Sequence, residues 1–130
     1  MNIETLRAYC IQKPLVTEEF PFDEVTLVFK VLNKAFLLTG LDAPGLQFNV
    51  KCDPEKAIEL REQFDCVQPG FHMNKKHWNT IHDDGTVTDK QLKEWIDHSY
   101  DMVVAGMPKK DQERVMKNKE GKRKKNSNKY

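Results

Sequence analysis

Residues 69–85, PGFHMNKKHWNTIHDDG, concentrate the side chains of this sequence that are best suited to chemistry. They include three of the four histidines, two adjacent lysines and one of the two tryptophans. Imidazole groups bind metals or transfer protons, and both imidazole and ammonium groups contact phosphate, so this stretch could form a metal site, a catalytic site or an anion-binding site.

A metal site is weakly supported by the spacing of these residues. His72, His77 and His82 fall five residues apart, which matches neither one face of a helix nor one face of a strand. No cysteine pair and no HExxH motif accompanies them, and Asp83 and Asp84 precede a glycine, where a turn favours aspartate anyway. We expect no metal or other cofactor, and histidines that are hydrogen-bonded or exposed.

Catalytic motifs are absent from the sequence. It has no GxSxG, no phosphate-cradling glycine loop and no dinucleotide-binding fingerprint. Adjacent acids such as Glu18 and Glu19 point to opposite faces of a strand and do not form a carboxylate pair. We expect a protein that is not an enzyme; a small-molecule or metal enzyme would need a pocket lined by His72, His77 and Cys66.

Anion binding has better support. A lysine pair with neighbouring hydrogen-bond donors and an aromatic ring suits contact with phosphate. The candidate residues for nucleic-acid contact in the body of the chain are Asn74, Lys75, Lys76, His77 and Lys51. The alternative is that the two lysines form a solvated turn. Trp78 itself is expected to belong to the core, because large aromatic residues usually anchor small cores.

Charge is distributed unevenly along the 130 residues. Residues 117–130 hold seven Lys/Arg against one Glu, a net +6, whereas residues 1–116 hold fourteen Lys/Arg against nineteen Asp/Glu, a net −5. From residue 109 no core-facing pattern remains, and we expect residues 113–130 to be a basic, disordered tail. Its Lys122, Arg123, Lys124 and Lys125 would add to nucleic-acid binding, unless the tail is only a solvated extension.

The composition fits one folded domain, residues 1–112, followed by this tail. No apolar run is long enough to span a bilayer, and the N-terminus lacks the order of charges and apolar residues seen in secretory signals. Cys10, Cys52 and Cys66 are far apart and odd in number, which indicates reduced thiols. We therefore place the protein in the cytoplasm.

Periodicity and capping residues predict the elements that hold these side chains. The first half of the chain is expected to form a helix capped by Asn2, a hairpin of strands 25–31 and 34–40, and a strand 46–52. A helix opened by Asp53 and Pro54 and an extended segment 77–82 follow. The last element is a long helix capped by Thr88 and closed by Gly106 and Pro108. Consecutive strands joined by short turns indicate an antiparallel sheet. The predicted fold class is α+β, with two layers and the helices packed on one face of the sheet.

Five segments resemble the MmcQ/YjbR family of small bacterial proteins: VTEEFPF, TLVFKV, NVKCDPEKAIELREQF, PGFHMNKKHWNTI and LKEWIDHSYDMVVAGMPKK. The resemblance covers roughly residues 1–112. It implies a compact α+β domain like those of CyaY/frataxin and type III secretion chaperones, and a DNA-binding role with a "double wing" of β-hairpins. The family offers no well-established catalytic residues to assign to this sequence. The acidic body departs from a dedicated DNA binder. The first helix lacks the acidic ridge with which frataxins bind iron, since Glu4 is the only acid before Glu18.

Together these observations predict a non-enzymatic DNA-binding protein that contacts phosphate through the Lys-Lys-His loop and the basic tail. The alternative is a chaperone-like protein-interaction module without a nucleic-acid role. The expected partners are therefore DNA or another protein, and not a membrane; no oligomeric state follows from the sequence.

Overall fold

The computed structural model describes the backbone of residues 1–127 and the side chains of residues 1–121. Four helices and six strands are present in this part of the chain: α1 (Ile3–Ile11), β1 (Val16–Glu19), β2 (Thr26–Val31), β3 (Lys34–Gly40), β4 (Gln47–Lys51), α2 (Pro54–Gln63), β5 (Val67–Pro69), β6 (Trp78–His82), α3 (Asp89–Ala105) and α4 (Lys109–Ser127). None of the helices described is both long and apolar enough to cross a membrane.

The six strands form one antiparallel sheet in the order β1-β2-β3-β4-β6-β5. The β2–β3 hairpin turns at Leu32 and Asn33, which both have positive φ, 46° and 68°. This is the geometry of a two-residue hairpin turn whose twist matches that of the flanking strands. The predicted hairpin is thus confirmed, and so is the two-layer α+β fold.

Each predicted helix start has its expected cap. The side chains of Asn2, Asp53 and Thr88 accept hydrogen bonds from the backbone N–H groups of Thr5, Lys56 and Gln91. These bonds satisfy donors that the first turn of a helix leaves unpaired. Strands β1 and β5 were not predicted separately, because four and three residues are too short for a clear alternation.

One face of the sheet packs against the helices. Leu27, Phe29, Leu37, Val50 and Ile81 point to this side and form one buried cluster with residues of α1, α2 and α3. Across the layers, the rings of Phe36 on β3 and Tyr100 on α3 meet edge to face, with centroids 5.4 Å apart. The other face of the sheet carries no helix among the described residues.

A buried hydroxyl joins α3 to two strands. Ser99 Oγ donates to the carbonyl of Phe36, 2.5 Å away, and accepts from the backbone N–H of Lys51 at 2.8 Å. These bonds lie just beyond Leu37 and Val50, the last paired residues of β3 and β4 at this end. The helix therefore satisfies backbone groups that the strands leave unpaired.

The C-terminal segment corrects the prediction of a disordered tail. The segment 113–130 was expected to be unstructured, yet α4 runs to Ser127, while residues 128–130 lie outside the described part. Val115 is 5% exposed and belongs to the core cluster, so α4 is attached to the body near its start. Lys, Arg, Glu, Gln and Met favour helix, so the charge run extends the helix from this single apolar anchor.

Candidate functional site

The loop of residues 70–77, between β5 and β6, is held from below by an arginine of α2. Arg61 Nε donates to Asn79 Oδ1 at 2.6 Å, and its Nη2 donates to the carbonyl oxygens of Trp78, at 3.2 Å, and Lys75. Asn79 is buried and donates in turn to the carbonyl of Ala57 on α2, at 3.3 Å. This network fixes the loop relative to the helix layer, and no sequence motif indicated it.

Asn74 shapes the turn that presents the two lysines. Its side-chain Oδ1 accepts from the backbone N–H of Lys76 at 2.9 Å, and its carbonyl accepts from the N–H groups of His77, at 3.2 Å, and Trp78, at 2.9 Å. An asparagine that bonds to the backbone two residues ahead is a common turn device. The geometry is consistent with a positioning role for Asn74.

The two loop lysines differ in their availability. Lys75 Nζ folds back to donate to the carbonyl of Gly70 at 3.1 Å, whereas the exposed Lys76 side chain makes no hydrogen bond or ion pair with the described residues. Lys51 lies opposite Trp78 in the pairing of β4 with β6, at the base of the loop. Lys51, Lys75, Lys76 and the partly buried His77 therefore belong to one region of the molecule.

Trp78 does not occupy the core as the sequence suggested. Side chains alternate along β6, so Asn79 and Ile81 face the helices while Trp78 and Thr80 face the opposite side. Trp78 is partly buried there and is absent from the core cluster. The aromatic anchor of the core is instead Trp95 on α3, whose ring meets that of Phe64 with centroids 5.1 Å apart.

The basic residues predicted for the tail are located only by their backbone. Lys122, Arg123, Lys124 and Lys125 lie within α4, and their side chains fall outside the described part. The structure thus places them in the C-terminal part of a helix whose Val115 is buried in the core.

Cys66, His72 and His77 do not form a metal site in the described part of the chain. Among the side chains of residues 1–121, no three His, Cys, Asp or Glu groups converge in a way that could hold a metal ion. Cys66 is 2% exposed, and burial raises the pKa of its thiol, which disfavours the reactive thiolate.

A cleft on the helix-free face of the sheet is the main feature that sequence reasoning missed. Its volume is about 650 Å³, and Thr26, Leu38 and Asn49 from the adjacent strands β2, β3 and β4 line its floor. Phe22, from the loop before β2, and Phe71, from the loop before β6, line its sides. Phe22 is 73% exposed and Phe71 61%. The signal available in the sequence was an aromatic residue directly after a turn-forming residue, Pro21 or Gly70.

Hydrogen bonds hold both walls of the cleft. Thr80 Oγ1 accepts from the backbone N–H of Phe71 at 2.8 Å and donates to Asn49 Oδ1, 2.5 Å away. On the other side, Asp23 Oδ1 accepts from the N–H groups of Val25, at 2.9 Å, and Thr26, at 2.6 Å. These bonds lower the pKa of the Asp23 carboxyl, so this wall carries a negative charge at neutral pH.

Comparison with known proteins identifies similar sequences over most of the chain. The family model YjbR matches residues 11–102. The chain is 34% identical over 113 residues to the uncharacterized protein YbdF of Escherichia coli O157:H7, which covers 86% of this chain and 92% of YbdF. It is 32% identical over 108 residues to the uncharacterized protein YjbR of Escherichia coli strain K12, which covers 83% of this chain and 92% of that protein.

Solved structures show the same architecture. The Deinococcus radiodurans protein DR2400, with a DUF419 domain, matches with a TM-score of 0.81 and 39% identity over 88% of this chain and 87% of that one. A protein from Pseudomonas syringae matches with a TM-score of 0.67 over 79% of this chain and 99% of that one; at 23% identity it supports the fold alone.

Proposed function

Because this chain belongs to the YjbR family and carries a long basic helix on an acidic body, we propose that it binds nucleic acid through helix α4. Residues 109–127 contain nine Lys/Arg and three Asp/Glu, a net +6, whereas residues 1–108 contain eleven Lys/Arg and seventeen Asp/Glu, a net −6. Affinity for nucleic acid comes mainly from neutralised phosphates, so most of the electrostatic attraction has to come from the basic helix.

The basic side chains described on α4 are exposed on a helix, and this exposure supports the proposal most directly. All five Lys/Arg side chains described on α4 are exposed: Lys109, Lys110, Arg114, Lys117 and Lys119. Their one ion pair among the described residues joins Arg114 to Asp111 at 3.9 Å. A helix has the width to enter the major groove. The part of α4 around the buried Val115 is already folded, so it loses less conformational entropy on binding than a disordered tail.

The loop has a secondary role in this proposal. Lys76 is exposed and Lys51 lies near the same region, so both can add phosphate contacts. Lys75 has first to release the carbonyl of Gly70, and His77 is partly buried. The Lys-Lys-His loop alone therefore provides fewer free charges than the sequence suggested.

Fluorescence anisotropy with a labelled 30-base-pair duplex, titrated at four NaCl concentrations, tests the proposal. The variant Lys117→Glu/Lys119→Glu reverses two exposed charges on α4, and Lys34→Glu/Lys90→Glu makes the same charge change at exposed positions in the body. Each lost phosphate contact reduces the slope of log K against log[salt] by about 0.9. We expect the α4 variant to bind more weakly with a slope smaller by nearly 2, and the control variant to behave like the wild type.

A parallel variant, Lys75→Glu/Lys76→Glu, measures the contribution of the loop. We expect a smaller loss of affinity than for the α4 variant, because only Lys76 is free. If both double variants bind like the wild type, nucleic-acid binding by these surfaces is refuted. The protein-interaction module, favoured by the net charge of −6 on residues 1–108, then becomes the better account.

A further inference from the structure

We propose that the cleft on the helix-free face of the sheet is a binding site for a small organic cation with an aromatic or aliphatic body. The site is separate from the basic helix and loop, and neither the family nor the proposed function assigns it. Three properties of its lining define the ligand: apolar walls, negative charge and a polar floor.

The walls supply apolar contact. Phe22 and Phe71 approach from the β2 side and the β6 side of the sheet, across the two strands β3 and β4 that lie between them. Leu38 on β3 adds an apolar patch to the floor. Aromatic faces attract cations as well as apolar groups, so this pair suits a ligand that carries both.

The charge of the lining favours cations over anions. Its only ionisable residues are Asp23, Asp42 and His72, and it contains no lysine or arginine among the described residues. The low pKa of Asp23 keeps one carboxylate ionised, while Asp42 is exposed at the end of β3. A ligand with an ammonium group would gain from both carboxylates, and a phosphate or carboxylate would be repelled.

The floor provides direction. Asn49 uses its Oδ1 to accept from Thr80, and its Nδ2 has no hydrogen-bond partner in the described part of the chain. Those two N–H donors are free to bind an oxygen acceptor on the ligand.

The dimensions favour a small molecule over a polypeptide. A volume of about 650 Å³ falls within the range of small-molecule sites, and walls stand on two sides of the floor. A specific protein interface takes roughly 800 Å² from each partner, more than a floor three strands wide provides.

Three matched probes separate the contributions: 2-phenylethylamine, 2-phenylethanol and 3-phenylpropionate share a ring and differ in charge. We expect ¹H–¹⁵N spectra of the full chain to shift at Thr26, Gly40, Asn49 and Phe71 with the amine. The alcohol should bind several-fold more weakly than the amine, and the carboxylate should not bind measurably. Shifts outside the cleft, or equal affinities for the three probes, would overturn the proposal.

Two exposed positions allow substitution without disturbing the core. Asp42→Asn should reduce the preference for the amine over the alcohol several-fold. Phe22→Ala should lower the affinity for both the amine and the alcohol by a similar factor. Glu62→Gln, an exposed acid on α2 in the other layer, serves as the matched control and should change neither. The proposal fails if Asp42→Asn and Phe22→Ala bind the amine and the alcohol as the control variant does. It also fails if no probe binds at millimolar concentration, which would be the outcome if the cleft accepts only a polypeptide.

The outcome is independent of nucleic-acid binding. Phe22→Ala should leave the anisotropy titration with duplex DNA unchanged, because the cleft lining contributes no basic residue apart from His72 in the described part of the chain. Failure of one proposal therefore leaves the other open to its own test.

Discussion

Gly70 shows how closely the loop of residues 70–77 is packed at the level of single residues. A Cβ at this position would lie 2.8 Å from both the Cβ and the carbonyl oxygen of Trp78, well inside van der Waals contact. The same backbone donates to the Trp78 carbonyl at 2.9 Å, so the two segments cannot separate without losing a hydrogen bond. Glycine is required here because of the approach of two chain segments rather than because of its backbone angles.

We predict that Gly70→Ala destabilises the protein by about 1–3 kcal/mol, as expected for overpacking against backbone. Gly45→Ala is the matched control, since a Cβ at Gly45 would meet no described atom within 4 Å, and it should change stability by less than about 0.5 kcal/mol. Urea denaturation of the wild type and both variants measures the two effects. Equal midpoints for the two variants would show that the loop can relax away from β6.

Single residues were also where sequence reasoning was least complete. The side chain of Asn74 is positioned by local turn chemistry, which is readable from the sequence. The bonds of Arg61 to Asn79, Trp78 and Lys75 join residues 14 to 18 positions apart, and only the tertiary fold brings them together. The same holds for the cleft, whose walls come from loops before two different strands.

At the level of elements, local signals predicted most of the fold. Caps and periodicity located α1, α2 and α3. Runs of β-branched and aromatic residues on either side of a short turn located the hairpin strands β2 and β3, and alternation located β4. The short edge strands β1 and β5 were not predicted, because their pairing is set by β2 and β6 rather than by their own composition. Helix α4 escaped because it has only one buried apolar residue, Val115, among those described.

We predict a gradient of backbone protection along α4. Amide hydrogen exchange should be slower for residues 112–118, around the buried Val115, than for residues 120–127. A helical stretch of fewer than about 12 residues without tertiary packing is marginal in water. Uniform protection up to Ser127 would contradict this, as would the absence of any protection beyond residue 112.

At the level of the whole molecule, His98 links three elements and makes stability depend on pH. This residue of α3 accepts a hydrogen bond at Nε2 from the backbone N–H of Asp53, 3.2 Å away, between β4 and α2. The fold therefore uses the neutral imidazole. Burial and the nearby charge of Lys56 lower the pKa of His98 from its ordinary value of 6.5, although Asp53 and Asp101 act in the opposite direction.

A histidine whose pKa is lowered by folding binds its proton more readily in the unfolded chain. Its stabilising contribution is complete above pH 6.5 and is lost progressively as the pH falls towards its lower folded-state value. We predict that the free energy of unfolding of the wild type declines more steeply from pH 7 to pH 5 than that of His98→Gln, which keeps an acceptor but does not titrate. Chemical denaturation at three pH values measures this, and parallel declines would exclude His98 as the cause.

The opposite charges of α4 and the rest of the chain have a consequence for the kinetics of encounter. A net +6 on residues 109–127 and a net −6 on residues 1–108 give the molecule a large electric dipole, although its overall charge is only +1. The electric field of a polyanion orients such a dipole before contact, so that α4 faces the polyanion and the acidic body faces away from it. Salt should then slow association more than it speeds dissociation, because screening acts on the approach over distances beyond about 10 Å.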